Sequence, residues 1–151
     1  MNVAITPLAE LTITREIKAP RARVFAAWTD ISQVSLWWAP KGFTLIECEM
    51  DLRPGGFWLR RMRASDGRIT VKHGVYREIV PPERLAFTYN TEHPDGSIEP
   101  ETVVTVTFAD LGGRTELTLH HSGFATEQAA IDHRGGWTSA LEQFADFMAR
   151  R

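Results

Sequence analysis

Four polar side chains occupy strand positions whose neighbours two residues away are apolar, and they are the first candidates for chemistry. Arg15 lies in phase with Ile13 and Ile17, and Arg60 falls between Trp58 and Met62. His73 shares parity with Val71 and Val75, and His121 continues the face of Leu117 and Leu119. Alternate strand residues share a face, and a polar group on a buried face needs a partner. A guanidinium fork suits a carboxylate or a developing oxyanion, and an imidazole titrates near neutrality. Arg60 with His73 or His121 is therefore the set that would serve a cyclase, hydrolase or isomerase. Arg60 would steady an oxyanion while a histidine moves the proton. Each of the four also has a plainer reading, as a polar group satisfied within the fold. Gly74 leaves the phase of His73 open, because a glycine inside a strand often marks a bulge.

Other chemistries find less support. The single cysteine, Cys48, precludes an internal disulfide or a multi-cysteine zinc site and reads as a small buried thiol. His120 and His121 point to opposite faces, His93 lies in a loop, and no His-Glu-x-x-His run exists, so no metal is expected. No serine elbow is present, and Arg53-Pro-Gly-Gly56 lacks the Lys and Ser/Thr of a phosphate-binding loop. No cofactor is expected. Asp51 ahead of that turn is expected to tie its backbone.

These residues must be positioned by a recognisable series of elements. Leu11 to Ile17 alternates apolar and polar residues as a strand does. Pro20 suits the first turn of a short helix carrying Val24, Phe25 and Trp28, and Asp30 can cap a second carrying Val34, Trp37 and Trp38. From Phe43 the period switches to two, with Ile46, Cys48 and Met50 on one face. Turns at Arg53–Gly56 and Ser65–Gly67, the Pro81-Pro82 stop and the loop at His93–Gly96 separate further strands, as does Leu111–Gly113. Short connections between sequential strands imply an antiparallel meander. After a Thr126 cap, Trp137, Leu141, Phe144 and Met148 recur at helical spacing, with Gly135-Gly136 marking a helix start, a kink or a close approach.

Composition agrees with one domain. At 151 residues, 43% hydrophobic and 24% charged, the chain is ordinary for a globular protein. A net charge of −2 disfavours a general nucleic-acid binder, which needs a basic face. Residues 1–10 read as an N-terminal arm and 11–151 as the domain. The absence of a basic segment followed by an apolar run, or of a long apolar stretch, leads to the expectation of a cytoplasmic protein without a membrane span.

The order β-α-α-β-β-β-β-β-β-α is the α+β helix-grip arrangement, about seven curved antiparallel strands around a long C-terminal helix. Ala19-Pro20, Val24-Phe25, Trp37-Trp38-Ala39-Pro40 and Gly42-Phe43 open a pattern that continues through Asp51–Gly56, Gly74, Pro81–Leu85, Ser122–Phe124 and Gly136-Trp137. As a set over residues 11 to 150, these resemble the bacterial proteins similar to the activator of Hsp90 ATPase. Their wider superfamily includes START lipid-transfer domains and polyketide cyclases. The resemblance implies an apolar or amphipathic small molecule held between sheet and helix. A chaperone of the Hsp90 type enters as a partner by family analogy alone.

Five Trp, eight Phe and two Tyr suit such a pocket, because aromatic side chains commonly line apolar sites. The expected lining takes Trp28, Trp37 and Trp38 from the short helices, and Trp58, Arg60, Met62 and His73 from the next strands. Phe87, Tyr89, Val104 and Val106 follow, then Leu119, His121 and Phe124, and finally Trp137, Leu141 and Phe144 from the long helix. The leading reading is a binder of a small hydrophobic or amphipathic ligand. An enzyme built on Arg60 and a histidine is the second reading, and a chaperone-related or stress-response interaction module the third. A homodimer is compatible with all three.

Overall fold

The computed structural model describes residues 9–150. Its elements are β1 (Ala9–Ile17), α1 (Arg21–Thr29), α2 (Ile31–Trp37), β2 (Phe43–Met50), β3 (Phe57–Ala64), β4 (Ile69–Val80), β5 (Arg84–Glu92), β6 (Thr102–Asp110), β7 (Thr115–Phe124) and α3 (Glu127–Ala149). The seven strands form one antiparallel sheet in the order β1-β7-β6-β5-β4-β3-β2, the α+β helix-grip arrangement. Ala9 and Glu10 of the expected arm already belong to β1, while residues 1–8 of that arm lie outside the described residues. Among the described residues, no helix is long and apolar enough to cross a membrane.

Local chemistry explains the boundaries. Asp30 caps α2 by accepting from the Ser32 N–H at 3.0 Å, and Thr126 caps α3 by accepting from the Ala129 N–H at 3.1 Å. Pro20 sits at the cap of α1, one residue before the first turn. Gly56 closes the turn after β2, where a Cβ would collide with the Asp51 carbonyl. The Asp51 carboxylate pairs with Arg53 Nε at 2.8 Å, so it braces the turn through a side chain and not through the backbone.

The inner face of the sheet and the apolar stripe of α3 make the core. Leu85, Val104, Val106, Phe108, Leu117 and Leu119 are buried under Leu141, Phe144 and Met148. Such burial contributes on the order of 2 kcal/mol per large side chain. The helix runs unbroken through Gly135-Gly136, and a Cβ on Gly136 would stand 3.9 Å from Pro40. The pair is therefore neither a helix start nor an interruption.

Two strand phases differ from expectation. A register shift between Leu45 and Glu47 sets Leu45 opposite Met62 and Cys48 opposite Arg60. Leu45 thus joins Cys48 and Met50 against the core, whereas Ile46 is 41% exposed. In β4, Trp58 pairs with Gly74, Arg60 with Lys72 and Met62 with Thr70. The inward set is therefore Thr70, Lys72, Gly74 and Tyr76. His73 points out, which corrects the inward assignment drawn from Val71 and Val75. Those valines suit a strand whichever way they face.

Candidate functional site

The packed core does not fill the space under the whole helix. Beside the first half of α3 lies a cavity of about 630 Å³, floored by β3, β4 and β5 and rimmed by the α2–β2 and β5–β6 loops. Trp38, Met62, Tyr89 and Trp137 form its apolar wall, with Phe43 at the rim. The rim is fixed to the helix: Ser139 Oγ accepts from the Lys41 N–H at 2.9 Å, and the Gln143 amide donates to the carbonyls of Trp37 and Ala39.

The polar end of this cavity is a cluster that the sequence reading did not single out. Lys72 Nζ donates to Thr91 Oγ1 at 2.9 Å, lies 3.5 Å from His133 Nε2, and stands 5.3 Å from the centre of the Tyr89 ring. His133 Nδ1 donates to the Ala129 carbonyl at 2.8 Å, so in the neutral ring Nε2 is the acceptor. It faces both Lys72 and the Thr91 hydroxyl, 3.3 Å away. Burial pushes the Lys72 ammonium down to about 8, against the pull of Glu99. Burial, then the Lys72 charge, lowers His133 as well. Glu99 itself pairs with His93 at 2.7 Å on the rim.

The alternation of Val71 and His73 hides Lys72, because it assigns the inner face to them and not to the lysine between. Thr91 extends the Phe87, Tyr89 alternation by one step, and His133 lies one helical turn before Trp137. Both spacings were available signals.

The expected polar candidates do not converge. His121 is fully buried and bonded at both nitrogens. Trp137 Nε1 donates to its Nδ1 at 3.0 Å, and its Nε2 lies 2.7 Å from Thr102 Oγ1, which donates to the Tyr89 carbonyl at 2.7 Å. Burial pushes its pKa down to about 2, so it stays neutral. Arg60 is also buried, with its guanidinium 4.9 Å from the Trp38 ring and 5.3 Å from the Trp58 ring. Its Nη1 donates to the carbonyls of Glu49 and Leu59, each at 3.0 Å. That site adjoins a separate void of about 10 Å³ shared with Trp28, Tyr76 and Phe87. His73 is on the outer face, its ring 6.3 Å from that of Phe57. Arg15 donates to the Thr14 carbonyl. The oxyanion-and-histidine constellation of Arg60, His73 and His121 is therefore not assembled.

Most of the expected aromatic lining packs against itself. Trp28 lies 4.7 Å from Trp37, 6.1 Å from Trp137 and 5.9 Å from Phe144, ring centre to ring centre. Trp58 meets Phe87 at 5.4 Å, and Phe124 meets His121 at 4.3 Å. Val104, Val106, Leu119 and Leu141 are wholly buried in the same core. Trp137 apart, these residues support the cavity without bordering it.

Residues 18–149 match the model of the family described as Activator of Hsp90 ATPase homolog 1-like protein. No curated protein matches the chain. Among solved structures, the AHSA1 protein of Silicibacter pomeroyi is similar at 26% identity and a TM-score of 0.83, over 93% of this chain and 98% of that one. A protein of Rhizobium leguminosarum is 27% identical over 95% of each chain, with a TM-score of 0.82. One of Chromobacterium violaceum is 26% identical over 92% of this chain and 96% of that one, with a TM-score of 0.81. With the family pattern spanning nearly the whole helix-grip unit, the chain belongs to the Activator of Hsp90 ATPase homolog 1-like family.

Proposed function

We propose that the chain binds a small amphipathic molecule in the cavity beside the first half of α3. The apolar body would lie against Trp38, Met62 and Trp137, and an oxygen-bearing end would meet Lys72, Thr91 and His133. The observation that carries this reading is a lysine amine on the wall of a 630 Å³ cavity, held by neutral partners. Among the described residues it has no carboxylate in ion-pair contact, and Glu99 acts on it only at longer range. A ligand carboxylate would supply that missing counter-charge, and a charge-assisted hydrogen bond contributes about 1.5–3 kcal/mol.

Tryptophan fluorescence tests the idea, since Trp38 and Trp137 border the cavity. Titration with 2-naphthoic acid should give saturable quenching, and Lys72→Met should weaken it about tenfold or more. Quenching that never saturates, or equal affinity in Lys72→Met, would overturn the proposal.

A further inference from the structure

We propose that the Lys72 amine condenses with the carbonyl carbon of an aldehyde or ketone carried by an apolar ligand, forming a covalent iminium inside the cavity. This rests on the cavity being the ligand site and assigns that site a bond-forming group. Three features converge on Nζ. It sits on the cavity wall, it is held at 2.9 Å by the Thr91 hydroxyl, and an imidazole nitrogen free to accept a proton lies 3.5 Å away. Ordinary lysines are poor nucleophiles because they are protonated, and ion pairing to a carboxylate reinforces this. Lys72 has neutral groups around its amine (Thr91, Tyr89 and His133), with Glu99, Asp132 and His93 elsewhere on the lining and Arg60 beside it on β3. With its pKa near 8, about one amine in ten is neutral at pH 7, against about one in several thousand for an exposed lysine.

The step balances with groups in place. His133 Nε2 takes a proton from the ammonium. The amine lone pair attacks the carbonyl carbon, forming the C–N bond while the C=O π pair moves to oxygen. A proton passes from nitrogen to that oxygen, with the Thr91 hydroxyl alongside, to give the carbinolamine. His133 then returns its proton to the hydroxyl, the C–O bond breaks, water leaves, and the nitrogen lone pair closes the C=N bond. One ammonium and one carbonyl compound become one iminium and one water, with charge conserved.

The chain has three lysines, Lys18, Lys41 and Lys72, so reductive trapping can be mapped without ambiguity. The intact protein would be incubated with 2-naphthaldehyde and sodium cyanoborohydride, followed by intact-mass measurement and peptide mapping. The expected result is an adduct at Lys72, formed about tenfold or more faster than at Lys18. It should be suppressed by excess 2-naphthoic acid, kept in Lys18→Arg and lost in Lys72→Arg. Its rate should level off above about pH 8. Equal labelling of the three lysines, or none at Lys72 while 2-naphthoic acid still quenches tryptophan, would sink the iminium and leave the binding reading standing. Loss of both the adduct and the saturable quenching would overturn both.

Discussion

The indole N–H of Trp137 on α3 donates to Nδ1 of His121 on β7 at 3.0 Å, and that bond fixes the histidine as its Nε2–H tautomer. The second nitrogen then donates to Thr102, whose own hydroxyl donates to the Tyr89 carbonyl. A polar thread thus crosses the apolar core from helix to β5 with each donor finding one acceptor. Breaking one link strands the others, which is why such networks are costly to cut.

The first prediction concerns acid. His121 titrates near 2 in the folded chain and near 6.5 when unfolded. Between those values the unfolded state binds a proton that the folded state does not. The contribution of His121 to stability is therefore full above about pH 6.5 and falls by about 1.4 kcal/mol per pH unit below it. His121→Gln should cost about 1–3 kcal/mol at pH 7 and flatten that acid slope. Urea unfolding at a series of pH values measures both; an unchanged slope would refute the assignment.

Lys72 has the opposite pH window. Its folded pKa is lowered from 10.5 to about 8, so the cost of burying the ammonium is fully present below pH 8 and disappears as pH rises towards 10.5. Lys72→Met should raise stability by on the order of 2 kcal/mol at pH 7, with the gain shrinking above pH 8. Thermal melts at pH 7 and pH 10 decide it. A gain equal at both would mean that the charge is not the cause.

Arg60 should prove structural. Methionine retains most of its volume between Trp38 and Trp58 without the buried charge, so Arg60→Met should change stability by less than about 1.5 kcal/mol. Arg60→Ala should cost about 2 kcal/mol or more through the space it leaves. Neither should shift the affinity for 2-naphthoic acid more than about threefold, since Arg60 borders the small void and not the cavity. Calorimetric titration of both variants checks this.

Two glycines should respond in opposite directions to the same substitution. A Cβ on Gly135 meets open space in a continuous helix, so Gly135→Ala should stabilise by about 1 kcal/mol. A Cβ on Gly74 would collide with the Thr88 carbonyl, the atom that accepts the Trp58 indole N–H at 3.1 Å. Gly74→Ala should cost more than about 3 kcal/mol. Matching effects in chemical denaturation would contradict this packing.

The element order, both helix caps and most of the core were legible in the sequence because period-two and period-3.6 patterns are local properties. Positions governed by partners were not. The phase of β2 flips at the register shift after Leu45, which depends on how β3 pairs with it. His73 looked inward beside two valines, yet the pairing of Gly74 with Trp58 turns Lys72 in instead. His121 lies on the face that its alternation with Leu117 and Leu119 implies, but it is buried away from the cavity, and its neutrality depends on Trp137 arriving from another element. His133, Thr91 and Lys72 come together from three elements, so no single window of sequence displays the cluster.

The sheet order has a consequence for the time course of folding. Among the described strands β1 is the first made, yet its partner is β7, with Leu11 paired to His121 across more than a hundred residues. Its edge remains open while the five intervening strands are synthesised, and closing so long a loop is slow. His133 and Trp137 follow β7 in the chain. The ribosome must therefore deliver everything from β1 through β7 before β1 finds its place, and the cavity can take shape only once α3 has followed.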